Sequence, residues 1–312
     1  MVDKEDKVPE NRVAPPERQY PDPKPVLRKK VPGEVQTTGH VWDGIEEYDN
    51  PMPRWWLWTF YVTIAWAILY MIAFPAWPLI RQATPGLLGY STRAAVVTEI
   101  EGFNERNAIW FERLASADLA TVPQDDELNR FAVSAGAAVF RTQCSQCHGS
   151  GAAGVQAQGF PNLLDDDWLW GGTVEDIHAT VSHGIRNETD PDARWSQMPA
   201  FGEILPREEI DAVVQHVLAL SGQSHDRALA ATGAGMFADN CASCHGDAGQ
   251  GDRFQGAPQL NDAIWLYGGS EAAIRETVAK SRFGVMPAFA GRIREADIRA
   301  VSLYVHQLGG GE

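Results

Sequence analysis

Cys144-Ser145-Gln146-Cys147-His148 and Cys241-Ala242-Ser243-Cys244-His245 are two copies of one pentad, and the rest of the chain is arranged around them. C-x-x-C-H is the attachment signature of c-type haem. Two thiols add across the porphyrin vinyl groups, and the adjacent histidine supplies an iron ligand. All four cysteines of the chain fall in these pentads. Two C-x-x-C pairs could instead form a zinc cage of four thiolates, and a single pair could be a thioredoxin-like redox centre. The histidine after both pairs favours haem, and the flanks lack the βαβ pattern of the redox motif. The expected cofactors are two covalently bound haem c groups, one per pentad.

The match between the copies extends well beyond the pentads. At an offset of 97, Gly136 and Phe140 become Gly233 and Phe237, Pro161 and Leu163 become Pro258 and Leu260, and Trp168-Leu169-Trp170-Gly171-Gly172 becomes Trp265-Leu266-Tyr267-Gly268-Gly269. After Val181 the offset falls to 88, so the first copy carries nine extra residues, and Met198-Pro199-Ala200-Phe201 then matches Met286-Pro287-Ala288-Phe289. A methionine is ordinarily core filler, but a repeated M-P-A-F is hard to assign to packing. Met198 is therefore expected as the second ligand beside His148, and Met286 beside His245. His178 and His183 are rival ligands, although their repeat equivalents are Arg275 and Lys280. His216 matches Tyr304 and reads as a helix-packing position.

Both copies resemble class I cytochromes c: a helix ending in C-x-x-C-H, a methionine loop, and an amphipathic terminal helix. The resemblance implies that Pro161 and Pro258, each 13 residues after a histidine, offer their carbonyls to the imidazole Nδ1–H. It implies Trp170 and Tyr267 as partners of the haem propionates. It also implies that each terminal helix crosses the first helix of its own copy. Ile210, Val213, Val214, Val217 and Leu218 would then meet Gly136 and Phe140, while Ile298, Val301, Tyr304, Val305 and Leu308 would meet Gly233 and Phe237.

Upstream, residues 1–50 are rich in charge and proline and read as a disordered cytoplasmic tail, in which Arg28-Lys29-Lys30 is a solvated charge run. Residues 51–80 read as a transmembrane anchor. No charge occurs between Arg54 and Arg81, Trp55, Trp56 and Trp58 face Trp77 across the apolar run, and Pro75 and Pro78 end it. The long leader and long apolar core do not suit a cleaved signal peptide. Residues 81–126 read as a linker with a helical stretch from Glu101 to Leu119. The cytochrome domains follow at 127–223 and 224–312. The fold class expected is thus mainly α, a single N-terminal transmembrane helix followed by two tandem class I cytochrome c domains. Loop charges do not orient the anchor. The family attaches haem outside the bacterial inner membrane, which implies periplasmic domains and a cytoplasmic N-terminus.

Acidic residues outnumber Lys and Arg by 41 to 26, and the first cytochrome domain (127–222) has 13 acids against 5 bases. Such a balance serves solubility, or it docks a cationic donor such as a basic cytochrome c. Asp165, Asp166, Asp167, Glu188, Asp190 and Asp192 are the candidates for that surface. Gly149 to Gly154 lacks the Lys-Ser/Thr of a P-loop, and neither a hydrolytic triad nor a nucleic-acid patch is visible. A peroxidase or gas sensor would need an open iron position, which two methionine ligands close.

The stretch Asp49-Asn50-Pro51-Met52-Pro53-Arg54-Trp55-Trp56, with Phe74-Pro75-Ala76-Trp77-Pro78 after it, resembles the start of the CcoP/FixP family, the dihaem subunit of cbb3-type cytochrome c oxidases. The resemblance runs from about residue 40 to the end. It implies an electron-transfer subunit without catalytic residues, relaying electrons from a cytochrome c donor towards a monohaem subunit and a haem–copper catalytic subunit. A free-standing, membrane-anchored dihaem shuttle is the alternative reading.

Overall fold

The computed structural model describes residues 35–312, so the tail before Val35, including Arg28-Lys29-Lys30, lies outside the described residues. Two units are separable, one ending at Thr98 and one beginning at Glu99.

In the first unit, strands β1 (Thr37–Trp42) and β2 (Ile45–Tyr48) pair antiparallel, with Trp42 opposite Ile45. Asp43 and Gly44 both take positive φ, 49° and 86°, as the two-residue turn of a tight hairpin requires. Residues 37–48 thus depart from the structureless tail expected over 1–50. The Asp-Gly turn pairs the flanking β-branched and aromatic residues locally. Helix α1 (Arg54–Ala73) carries no charge after its first residue and buries none of its side chains. It is the one described helix long and apolar enough to cross a membrane, and 20 residues rise about 30 Å, the thickness of a hydrocarbon core. Its hydroxyls bond within the helix, Thr59 to Trp55 O and Thr63 to Phe60 O. The returning chain caps its last carbonyls: Leu87 and Leu88 N–H donate to Ile72 O and Ala73 O at 2.9 and 3.0 Å. That return passes so close that a Cβ on Gly86 (φ +70°) would lie 2.5 Å from Ala73 O.

The second unit is helical. Helix α2 (Thr92–Ser116) delivers its C-terminal end into it, followed by α3 (Asp126–Val139), α4 (Ser145–His148), α5 (Val174–His183), α6 (Arg207–Leu220), α7 (Arg227–Asn240), α8 (Ala242–His245), α9 (Glu271–Lys280) and α10 (Glu295–His306). Side-chain caps start several of them: Asp125 accepts from Leu128 N, Thr173 from Asp176 N, Asp226 from Ala228 N and Leu229 N, and Ser270 from Ala273 N. The linker expected over 81–126 is in part core. Leu114, Leu119 and Val122 are buried with Leu128, Ala132, Ala300 and Leu303, and Arg299 donates to Leu114 O and Ala117 O at the end of α2.

The helix crossings correct the expected domains. Helix α3 packs on α10, and α7 packs on α6. At Gly136 the facing backbone is that of Ala300, and at Gly233 it is that of Ala212. Each terminal helix therefore crosses the first helix of the other repeat. The folded lobes are not the sequential segments 127–223 and 224–312. One lobe combines residues 126–183 with 285–308; its core joins Phe140, Ile177 and Val181 to Phe289, Ile298 and Val301. The other is continuous over 196–282, and its core joins Ile210, Val213 and Val217 to Phe237 and Ile274. The physical reason lies in the connection after α6. Only Ser221 to Asp226 separate it from α7, and so short a loop folds the second helix antiparallel onto the first. Buried Gln215 fastens the turn by accepting the Asp226 N–H at 2.7 Å.

Candidate functional site

Each pentad ends a first helix. In the first copy a widened π turn, Phe140–Cys144, leads from α3 to α4; in the second, α7 runs into α8 at Cys241. Buried Phe140 and Phe237 anchor the approaches. His148 Nδ1 lies 3.2 Å from Pro161 O and His245 Nδ1 lies 2.9 Å from Pro258 O. A donated Nδ1–H leaves the Nε2 lone pair free for a metal. Burial, opposed by that carbonyl, holds both imidazoles below the ordinary histidine pKa, in the neutral form that can ligate. Burial and then the neighbouring Cys147 or Cys244 push the Cys144 and Cys241 thiols up to about 11. They are thiols at neutral pH, unlike the thiolates of a redox pair.

The methionines lie where the exchanged helices carry them. Met198, of the first repeat, lines a cavity of about 190 Å³ with Cys241, Cys244, His245 and Pro258, of the second. Met286, of the second repeat, packs with Cys144 and Trp168 of the first against the core around Phe140. It is held on the end of α5 by paired bonds with Ile185, N to O in both directions at 2.9 Å. The pairing expected from sequence order, Met198 with His148 and Met286 with His245, is thereby corrected: His148 shares a lobe with Met286, and His245 with Met198. The rival histidines are engaged elsewhere. His178 Nε2 meets Glu295 at 2.9 Å, and His183 Nδ1 meets Asp190 at 3.2 Å. His216 packs on Phe237, 5.1 Å between rings.

The residues fit a haem. Trp170 Nε1 and Tyr267 OH, at equivalent positions of the two repeats, are buried without hydrogen-bond partners; an anionic acceptor such as a propionate would satisfy them. Arg186 was not anticipated. It lines the same cavity as His245 and Met198, and no repeat equivalent marks it in the sequence. The expected acidic surface is only partly available. Asp190 turns inward to His183 and to the Asp192 N–H, while Glu188 and Asp192 stay exposed.

Comparison with known proteins identifies the family. Residues 34–81 match the N-terminal domain of cytochrome oxidase-cbb3, FixP, and residues 131–217 and 228–305 each match cytochrome c oxidase, cbb3-type, subunit III. Similar proteins include the cbb3-type cytochrome c oxidase subunit CcoP of Cereibacter sphaeroides, 62% identical over 91% of this chain and 98% of that one. The CcoP subunit of Rhodobacter capsulatus is 52% identical over 93% and 99%. The FixP subunit of Sinorhizobium medicae is 48% identical over 89% and 96%. An apolar anchor helix, two pentads backed by proline carbonyls, and these matches lead to one conclusion: the chain belongs to the CcoP/FixP family of cbb3-type cytochrome c oxidase subunits, whose cytochrome c domains bind haem c.

Proposed function

We propose that the chain is a dihaem electron-transfer subunit of a cbb3-type oxidase, with one haem c held by Cys144, Cys147, His148 and Met286 and the other by Cys241, Cys244, His245 and Met198. The observation that carries this reading is the shared cavity of His245 and Met198 beside Cys241 and Cys244. Haem c bound there supplies a reversible one-electron iron couple. Pro161 and Pro258 orient the imidazoles, the lobe cores exclude water, and the methionines raise the potential while closing the iron to substrate. The chain itself is non-catalytic. Its partners are a cytochrome c donor, approaching in part over exposed Glu188 and Asp192, then a monohaem subunit and the haem–copper catalytic subunit. Helix α1 crosses the bacterial inner membrane once, with the N-terminus cytoplasmic and the haem lobes periplasmic. The test is gentle solubilisation of native membranes followed by affinity capture of this chain. Captured material is expected to carry two covalent haems per chain and to reduce oxygen with a haem–copper partner. A dihaem chain recovered alone would favour the shuttle.

A further inference from the structure

The nine-residue excess of the first repeat forms the crossing between lobes. Arg194 and Arg282 mark where the repeats resume: Arg194 donates to Trp170 O and Asp176 O, and Arg282 to Tyr267 O and Ala273 O, which are equivalent positions. Arg186 therefore stands inside the excess. Its backbone takes a left-handed φ of 51°, uncommon for a residue with a side chain. Its guanidinium reaches out from that turn, with Nε donating to Ser196 O and Nη1 to Gly284 O, the latter at 3.0 Å. Ser196 and Gly284 are also equivalents, each two residues before a ligand methionine. One cation thus clasps both methionine loops.

Nothing among the described residues neutralises it. Arg186 is partly buried, and among the described residues no carboxylate pairs with it. Its neighbours are the Trp170 and Phe283 rings, 5.9 and 6.0 Å away. Burial lowers its pKa, which marks a cation short of solvent and counter-ion. The orphaned Trp170 Nε1 and Tyr267 OH add two more donors. The remaining N–H groups of Arg186, with the Trp170 Nε1–H and the Tyr267 hydroxyl, make a receptor for carboxylates.

We propose that Arg186 is the shared counter-ion of the two haems, pairing with their propionate carboxylates from its place between the methionine loops and raising both redox potentials together. This rests on the dihaem reading above. A positive charge favours the reduced, less positive iron, so its loss lowers the potential.

The test is a spectroscopic redox titration of the detergent-solubilised full chain carrying Arg186→Gln or Arg186→Lys. With Gln, both haems are expected to lose about tenfold in reduced-to-oxidised ratio at a fixed poise, about 59 mV for a one-electron couple. Lys is expected to restore most of that loss, although a purely structural clasp would not depend on charge. A shift confined to one haem, no shift, or equal shifts with Gln and Lys would overturn the proposal. Should the Gln variant fail to mature, Tyr267→Phe removes only a buried hydroxyl and is expected to lower the potential of the haem at Cys241 and Cys244. An unchanged potential there would also overturn it. Covalent haem content distinguishes the two readings: two haems per chain in the parent with unshifted variants refutes Arg186 alone, whereas fewer than two refutes the dihaem reading.

Discussion

Gly136→Ala should destabilise the lobe that holds His148, and its partner in the effect should be Ala300. A helix-interior glycine replaced by alanine ordinarily gains about 0.5–1 kcal/mol. Here the new Cβ would sit 2.1 Å from Ala300 O, 2.6 Å from Ala300 C and 2.7 Å from Tyr304 Cβ. Two of those atoms are backbone, so α3 and α10 must move apart rather than a side chain turn aside. Overpacking of this kind costs about 1–3 kcal/mol, leaving a net loss of up to about 2.5 kcal/mol and a Tm lower by up to roughly 10 °C for a unit of this size. The informative measurement is a double-mutant cycle in thermal unfolding. Gly136→Ala combined with Ala300→Leu should be non-additive by at least about 0.5 kcal/mol, because the first change already opens the crossing that the second would crowd. Gly136→Ala combined with Ala212→Leu should add within roughly 0.3–0.5 kcal/mol, since Ala212 faces Gly233 in the other lobe. Coupling to Ala212 and none to Ala300 would refute the exchange and restore lobes built from sequential repeats.

Two further outcomes are expected. In a Cys241→Ser/Cys244→Ser background, which leaves covalent haem only at His148, Met286→Ala should abolish the sulfur-to-iron absorption band of the oxidised protein while Met198→Ala leaves it; the opposite result would return the ligands to sequence order. Burial, then Asp262 and Asp165, raise the Asp167 carboxyl from 3.8 to about 6, so the folded state holds this proton more tightly and loses stability as pH rises from about 4 to about 6. Asp167→Asn should then stabilise by about 1 kcal/mol at pH 7.5, a figure reduced for the partial exposure of this carboxyl, and by nothing below about pH 4. Equal gains at both pH values would dismiss the buried-charge explanation.

Local features of this protein were legible in its sequence, and the long-range ones were not. The pentads, both methionines and the proline carbonyls are local motifs whose chemistry depends on spacing, and Pro161 and Pro258 lie at hydrogen-bond distance from their histidines as expected. Helix α1 was equally plain, because no soluble core helix needs so long a run without charge. The exchange escaped because Gly136 and Gly233 are interchangeable by pattern: either small residue accepts either terminal helix, and amphipathic spacing says which face is buried but not against what. One signal was present. The six residues from Ser221 to Asp226 are too few to suggest independent neighbours, and a short connection between two amphipathic helices is itself an argument that they pack together. The hairpin at Asp43-Gly44 was likewise readable, hidden only by the proline-rich composition around it. Arg186 could not be found from the repeat, since it occupies the part of the first copy that has no counterpart.

That missing counterpart also explains why the two crossings differ in length. The continuous lobe begins at the Met198 loop and ends after α9, so the chain must enter it once and leave it once. Ile185 and Met286 mark the passage, bonded side by side in opposite directions. The outgoing strand goes straight from Arg282 to Met286, whereas the incoming one carries the additional turn from Asn187 to Asp192, stapled by His183 to Asp190 and by Asn187 to the His183 carbonyl. A repeat duplicated without that insertion would have two short hinges, and short hinges leave exchange between separate chains as accessible as exchange within one. The six-residue α6–α7 turn makes the continuous lobe local. The split lobe instead closes only through contacts such as Asn129 with Gln307, 178 residues apart, so its completion waits on the end of the chain. The insertion thus lets one chain satisfy both lobes, and it places the shared cation, Arg186, where both methionine loops meet.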